Sequence, residues 1–502
     1  MSSLKQLAGQ TIWYGLSNIA AKLLNQILTP IITYILNTPA GMVAYGDLTI
    51  LYSFVALANV LFTYGLETAY FRFASSGTDK NGLFHTTFTS LLVSTLIFSG
   101  IIIWQRGPIS DYIELQGQSE YVIWCVLIVA IDTLAAIPFA RLRQEGRPRK
   151  YAFVRMAGIV VNIILTVYFI SYCPQHVAAH PGTAFSKWYS GNSSVGFLLL
   201  ANLGQALVTF LFLYKEWGSY RIRFDAVLWK KILTYSWPMV IVGMGGMVNE
   251  TVDRIMLGKL YIGNAEQQKT AVAIYSANYK IAIFITLFIQ AFKMSAEPFF
   301  FSQSADRNAA TTYARVMKWF VITLCFAFLF TALYLDIWKY FIGPQYRNGL
   351  GVVPILLAAN VALGIYYNLA VWYKVTDRMY MGMIITLIGA VITLVLNFLF
   401  IPVYGMYACA WTTLAAYASM MVICYLMGQK YFPVHYPVAK LAGYIAVMFL
   451  FFGIQWLVMH FTAVLLLRLT SATILMLSYL LVILRSEKSE LSAMPVIGRW
   501  LR

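Results

Sequence analysis

Glu250, Asp253 and Arg254 stand within five residues of one another in the stretch GMGGMVNETVDRIMLG (243–258), which apolar runs flank on both sides and which carries four glycines. Two acids and a base at this spacing can couple to a cation, bind an anionic group, or simply pair, because Glu250 and Arg254 are four apart on a helix. A second polar set lies nearer the N-terminus. Asn18, Lys22, Asn25, Gln26, Thr29 and Thr33 follow helical spacing and make one polar stripe on an otherwise apolar segment. At the usual helical rise Lys22 lies about 16 Å in from Thr11, near the middle of a bilayer. A basic residue at that depth costs about 2.5–3.5 kcal/mol on insertion scales, and water or an anionic partner removes much of that cost. Its alternative role is a structural pair with Asp132, at similar depth in another segment. Asp47 and Lys280 lie near the outer ends of their segments, where they either gate or extend to the interface. Arg72 and Arg155, near the inner boundary, read as snorkelling side chains.

The elements that must position these residues are set by composition. The 502 residues are 60% hydrophobic and 11% charged, whereas soluble chains run near a quarter charged. Apolar runs of the roughly 20 residues that a spanning helix needs recur from Ile12 to Leu484. Their limits are 11–36, 43–65, 83–104, 121–140, 151–172, 195–214, 232–257, 271–292, 316–335, 350–373, 380–401, 406–427, 441–459 and 463–484. The expectation is an all-α integral membrane protein with about 14 transmembrane helices. The least secure spans are 271–292 and 463–484, which contain Lys280 and Arg468. No cleaved signal peptide is expected, since the first apolar run continues into Thr29-Pro30 without a small-residue cleavage site.

Charge orients the array. With a cytoplasmic N-terminus, the inside segments hold 25 of the 36 Lys and Arg, the outside segments seven counting Arg254, and the spans four. The basic segments RLRQEGRPRK (141–150) and 215–231 fall inside, as does the tail from Arg485. This is the positive-inside pattern, and it places both termini in the cytoplasm. Topology and anionic headgroups account for the net charge of +17. Basic residues spread over many short loops do not suit nucleic acid.

The chain also repeats. Tyr14 and Tyr235 are 221 apart; Tyr45 and Tyr275, and Glu67 and Glu297, are 230 apart; Arg143, Arg147 and Gly158 precede Lys374, Arg378 and Gly389 by 231. A shared order with a slowly drifting offset predicts two pseudo-symmetric six-helix lobes, 1–214 and 232–427, joined by a cytoplasmic linker, 215–231. Two extra C-terminal helices and a cytoplasmic tail, 428–502, follow. Two copies of even span number face the same way, with a substrate path between them. The 221 offset carries Lys22, Asn25, Thr29 and Thr33 onto Gly243, Gly246, Glu250 and Arg254. The stretch 243–258 is then the counterpart of the first polar stripe, and both line one cavity.

Catalytic motifs are scarce: there is no Walker loop, dinucleotide fingerprint or HExxH. Cys173, His176 and His180 in CPQHVAAH have ligand-like spacing but no evident fourth ligand, so neither a metal nor another cofactor is expected. Five cysteines, mostly within spans, indicate no disulfide framework.

NETVDRIMLG (249–258), AIYSANYKIAIFITLFIQAFKMSAEPFFF (273–301) and LNFLFIPVYGMYACAWTTLAAY (396–417) carry a resemblance over nearly the whole chain. It resembles the polysaccharide transporters, the bacterial flippases for lipid-linked oligosaccharides of the multidrug/oligosaccharidyl-lipid/polysaccharide exporter superfamily. The resemblance implies two six-helix lobes around a cleft and movement of undecaprenyl-pyrophosphate-linked sugars from the cytoplasmic to the periplasmic leaflet by alternating access. It also implies a bacterial inner membrane and a role in surface polysaccharide synthesis, such as O-antigen, lipopolysaccharide or capsule. A monomer working beside polysaccharide polymerase machinery is the expectation that goes with it. On that reading Lys22, Lys280 and Arg254 meet the pyrophosphate, Asn18, Asn25 and Gln26 meet sugar hydroxyls, and Glu250 lines the same site. Asp47, Asp132 and Asp253 are candidates for coupling or gating. A cation-coupled multidrug antiporter of the same superfamily, with Asp132 and Glu250 as coupling acids, is the alternative. A membrane glycosyltransferase or polymerase would need a larger loop bearing catalytic carboxylates. The segment 173–194, with no equivalent after span 380–401, departs from the family pattern.

Overall fold

The computed structural model describes residues 2–75, 79–115, 118–190, 193–303, 309–376 and 378–492, without the side chains of 2–18, 75, 294–299, 301–303 and 309. Among the described residues the chain is helical throughout and has no strand. Fifteen long helices organise it: α1 (Ser2–Ile35), α2 (Pro39–Thr63), α3 (Lys80–Trp104), α4 (Glu120–Gln144), α5 (Pro148–Val167), α6 (Ser194–Phe212), α7 (Ala226–Leu260) and α8 (Ala265–Ala282) come first. Then follow α9 (Phe284–Gln303), α10 (Ala309–Ala332), α11 (Val352–Leu369), α12 (Met379–Tyr404), α13 (Met406–Tyr431), α14 (Val438–Phe461) and α15 (Leu465–Ser486).

Among the described residues eleven helices are long and apolar enough to cross a membrane, or twelve if α8 and the first part of α9, bent by 47°, make one span. The expected 14 is not reached by this criterion. In α1 only Ile19–Ile35 counts, as a shorter apolar helix. In α7 the apolar run is interrupted by Gly243, Gly245, Gly246 and Asn249.

Local chemistry sets the helix limits. Thr38 caps α2, its hydroxyl accepting from the Gly41 N–H at 3.1 Å, with Pro39 in the first turn. Asp79 and Asp225 cap α3 and α7 in the same way. The interior prolines Pro30, Pro138, Pro238 and Pro402 are tolerated, as in membrane helices generally, because neighbouring groups satisfy the freed backbone.

Contacts group the chain into two compact units. The first comprises Met1–Ala277, Ile342–Gly349 and Tyr380–Ala416; the second comprises Asn278–Phe341, Leu350–Met379 and Tyr417–Arg502. In the first, α5 packs on α1 and α6, α4 on α2, α3 and α6, and α7 on α2. Glycines permit the closest approaches. A Cβ on Gly46 of α2 would collide with the Lys269 carbonyl oxygen of α8. Of the four glycines in 243–258, Gly243 and Gly258 face α2 side chains and Gly245 faces Thr386 of α12, whereas Gly246 opens onto free space. Three of the four therefore serve packing.

In the second unit α10 is the central element, packed on α9, α11, α14 and α15. Arg468, the charge that made the 463–484 span insecure, is fully engaged. Its guanidinium donates to the Thr462 carbonyl at 2.6 Å and the Met459 carbonyl at 2.7 Å, at the C-terminus of α14, and lies 3.4 Å from Asp336. A cation at a helix C-terminus meets both the free carbonyls and the dipole. At the other end of this unit Lys318 bridges Glu487 at 2.6 Å and Glu490 at 2.8 Å, and Lys440 reaches Glu487 at 2.6 Å.

Candidate functional site

In the first unit the polar stripe of α1 divides in two. Lys22 and Asn25 are exposed, whereas Gln26, Thr29 and Thr33 are buried. Gln26 accepts from the Thr29 hydroxyl at 3.5 Å, and the Thr33 hydroxyl donates to the Thr29 carbonyl at 2.8 Å and accepts from the Gly343 N–H at 3.1 Å. The far half of the stripe is thus engaged with protein, and the near half is open. The Asn18 side chain lies outside the described residues.

Around Lys22 stand charges from three other helices. Lys22 feels Glu250 of α7 as an attractive charge and Arg155 of α5 as a repulsive one, while Asp132 of α4 is attracted to Arg155. All four side chains are exposed, and none forms a hydrogen bond or ion pair among the described residues. Lys22 is therefore not held by Asp132; its strongest charged neighbour is Glu250. Glu250 lies about 15 Å from the end of α7 at Leu260, and Asp132 sits midway along α4, by helical rise. Unneutralised charges at such depth require an aqueous or liganded surface, because bare exposure to lipid is costly. Two bases and two acids thus influence one another here without touching. Arg155 was read from sequence as a snorkelling side chain. The structure leaves it exposed, near the rings of Phe139 (5.6 Å) and Tyr151 (5.8 Å), where its charge also bears on Lys22 and Asp132.

The acids and base that open the sequence argument separate here. Glu250 and Arg254 do not pair through their side-chain charges. The Arg254 guanidinium donates to the Glu250 backbone carbonyl at 2.5 Å and lies 3.4 Å from the Asp253 carboxylate. Asp253 is buried and well satisfied. One oxygen accepts from the Tyr275 hydroxyl at 2.5 Å, the other from the Arg254 backbone N–H at 2.8 Å, and its carbonyl accepts from the Cys409 thiol at 3.8 Å. Next to it, Asn249 donates to the Thr386 carbonyl at 3.3 Å and accepts from the Thr393 hydroxyl at 2.8 Å. This polar core joins α7, α8, α12 and α13. Tyr275 was marked in the sequence only as the repeat partner of Tyr45; Asp253 gives it a chemical role.

Asp47 pairs with Lys269, not a residue singled out before, at 2.9 Å. Lys269 also donates to the Glu114 carbonyl at 2.8 Å, and Lys259 meets the Glu114 carboxylate at 2.6 Å. This network ties α2, α7, α8 and the segment after α3 together at the predicted outer end. Lys280 belongs to the second unit, at the end of α8. At the predicted inner end, Glu216 is buried between Arg147 at 2.8 Å and Lys150 at 2.5 Å, and Arg143 pairs with Glu67. The basic 141–150 loop is therefore partly neutralised by the protein itself.

The segment after α5 is helical and aromatic. A π-helical turn, Tyr168–Tyr172, leads into helices Cys173–Ala179 and Ala184–Ser190. Tyr189 stacks on Phe197 at 4.3 Å and His176 on His180 at 4.6 Å. Cys173 is buried, and among the described residues no three groups are placed to hold a metal ion.

A family model described as polysaccharide biosynthesis protein matches residues 7–304. The chain belongs to the polysaccharide biosynthesis protein family. The matched region contains α1, Lys22, Asp132, Arg155, Glu250, Asp253 and Arg254. Among solved structures, the lipid II flippase MurJ in an inward closed conformation matches with a TM-score of 0.67 at 13% identity, over 95% of this chain and 99% of that one. The MATE multidrug transporter DinF-BH, in a ligand complex, matches at 0.59 and 15% identity, over 85% and 95% of the two chains. An inward-facing multidrug resistance MATE family transporter of the MOP superfamily matches at 0.56 and 15% identity, over 83% and 94%. No curated protein matches. This member of the polysaccharide biosynthesis protein family thus has the fold shared by those transporters.

Proposed function

We propose that this protein is a flippase that carries undecaprenyl-pyrophosphate-linked oligosaccharide units from the cytoplasmic to the periplasmic leaflet of a bacterial inner membrane. The cycle is alternating access between the lobes 1–214 and 232–427, and the product feeds surface polysaccharide synthesis, such as O-antigen or capsule. Transport rather than catalysis fits a chain with no motif for bond-breaking chemistry, and MurJ, whose fold it shares, is by name a flippase of lipid II. The observation that carries the reading is exposed Lys22, a base at depth, with Arg155 nearer the inner boundary bearing on it and no counter-ion in contact with either among the described residues. A pyrophosphate is the ligand that satisfies two such cations at once, and charge-assisted contacts to it are strong in a low-dielectric site.

Asn25, exposed one helical turn from Lys22, meets sugar hydroxyls. Arg254 serves as a further base, and the buried Asp253 core couples movement of α7 to α8, α12 and α13. Asp47 with Lys269 acts as an outer latch. The protein works as a monomer and hands its cargo to polymerase machinery.

Reconstitution with defined lipid-linked oligosaccharides, read by enzymatic accessibility of the sugar on each leaflet, tests the reading. Sugar exposure should rise severalfold over empty vesicles. A second reading, a cation-coupled multidrug antiporter, is favoured by the unpaired carboxylates Glu250 and Asp132. It predicts resistance to several cationic drugs in a sensitised host, abolished by Asp132→Asn or Glu250→Gln.

A further inference from the structure

A groove of about 560 Å³ runs along the first unit between α2, α3 and α7, lined by Leu61, Val93, Ile97, Phe98 and Trp237 among others. Its size is that of a ligand pocket. The polar groups in its wall satisfy one another: the Tyr64 hydroxyl and Ser90 hydroxyl are 2.6 Å apart, and the Trp229 ring N–H donates to Ser90 at 2.8 Å. The wall therefore presents hydrocarbon, with no polar group seeking a partner. Along α3 it extends from Thr89 to Phe98, about 14 Å by helical rise. That is close to one leaflet of a hydrocarbon core about 30 Å thick.

One end of the groove is strongly basic. There the Thr89 hydroxyl bonds the Tyr220 hydroxyl at 2.9 Å and the Arg223 carbonyl at 3.5 Å. The loop that closes this end carries Arg221, whose backbone N–H donates to the His85 ring at 3.2 Å, and Arg223, and neither forms an ion pair among the described residues. The acids nearby are already engaged. Asp79 accepts from the Asn81 and Gly82 N–H groups, and Asp225 from those of Val227 and Leu228. A one-leaflet apolar channel ending in unneutralised bases matches a single kind of occupant in charge and length.

We propose that this groove is a binding site for an anionic phospholipid of the bilayer, one acyl chain lying against α3 and the phosphate held by Arg221 and Arg223. The assignment stands apart from the transport reading, because none of its residues belongs to the Lys22 patch. A longer polyprenyl tail of a carried lipid would exceed the one-leaflet length of the channel.

The test uses the full-length protein, stripped of lipid in detergent and offered phosphatidylglycerol and phosphatidylcholine with identical chains at equal concentration. Native mass spectrometry reads the lipid retained. The wild type should keep phosphatidylglycerol at least fivefold over phosphatidylcholine. Ile97→Trp, which fills the channel, should lower phosphatidylglycerol retention severalfold, and Val93→Trp repeats the test if the first variant folds poorly. Arg221→Gln with Arg223→Gln should remove most of the headgroup preference. Equal retention of both lipids by the wild type would overturn the proposal. So would full phosphatidylglycerol retention by folded Ile97→Trp and Val93→Trp. Displacement of phosphatidylglycerol by equimolar undecaprenyl phosphate, lost in the channel-filling variants, would assign the groove to the carried lipid instead.

Discussion

Replacing Arg155 by Gln separates a binding base from a structural one. In the structure Arg155 makes no hydrogen bond or ion pair among the described residues; its contacts are the rings of Phe139 and Tyr151, at 5.6 and 5.8 Å. At exposed sites such contacts contribute about 0.5–1 kcal/mol each, so losing the charge should lower stability by no more than about 1–2 kcal/mol. A charge-assisted contact to a phosphate oxygen contributes about 1.5–3 kcal/mol, and about 1.4 kcal/mol is a factor of ten. Arg155→Gln should therefore weaken binding of a pyrophosphate-linked sugar lipid roughly ten- to hundredfold. Removing the repulsion that Arg155 exerts on Lys22 offsets part of that loss, which places the expected result toward the lower end. Arg155→Lys should recover part of the affinity, since the charge survives without the planar fork. Calorimetric titration in detergent with a short-chain pyrophosphate-linked disaccharide measures the affinity, and thermal unfolding of the same samples measures stability. Affinity within twofold of wild type would refute the placement of Arg155 beside the ligand. A collapse of stability with affinity preserved per folded molecule would make it a structural residue.

Three other expectations rest on separate contacts. Tyr275→Phe removes a hydroxyl donor at 2.5 Å from the buried Asp253 carboxylate and should cost about 1.5–3 kcal/mol; in an Asp253→Ala background, measured by thermal unfolding, the same change should cost little. Burial pushes the Glu487 carboxyl up, but bonds from Lys318, Lys440 and Tyr444 bring it below its ordinary value of 4.5. Its stabilising contribution is thus complete above that value and is lost as pH falls through the lower folded one. Unfolding midpoints should accordingly drop on acidification below about 4.5, and less steeply in Glu487→Gln. Single cysteines introduced in the 141–150 loop should resist an impermeant thiol reagent in intact cells and react in inverted vesicles; labelling from outside would reverse the topology.

What the sequence made legible was periodicity and rare charge. Apolar runs marked the helices, and Lys22 stood out because a base deep in an apolar run must meet something. Partners were harder, because they come from segments far apart in the chain. Asp47 was visible, but Lys269 lay in a loop where a lysine is unremarkable, and only the close α2–α8 approach at Gly46 brings them together. Glu250 and Arg254 invited an i,i+4 pair, yet the Arg254 guanidinium turns to a backbone carbonyl and to its neighbour Asp253. Arg155 was legible as a base near a span end, but its influence on Lys22 and Asp132 comes from helices far apart in the chain. The tally of spans differed at α1, at the bend between α8 and α9, and at α7, where glycines and Asn249 interrupt the apolar run.

The central claim, that Lys22 holds the pyrophosphate of a translocated lipid, is tested most directly by leaflet-resolved translocation in vesicles with Lys22→Ala. The variant should fold and insert while its translocation rate falls at least tenfold, with partial recovery in Lys22→Arg and none in Lys22→Ala combined with Asp132→Ala. Full transport by that double variant would show that Lys22 only balances a carboxylate, and would contradict the account.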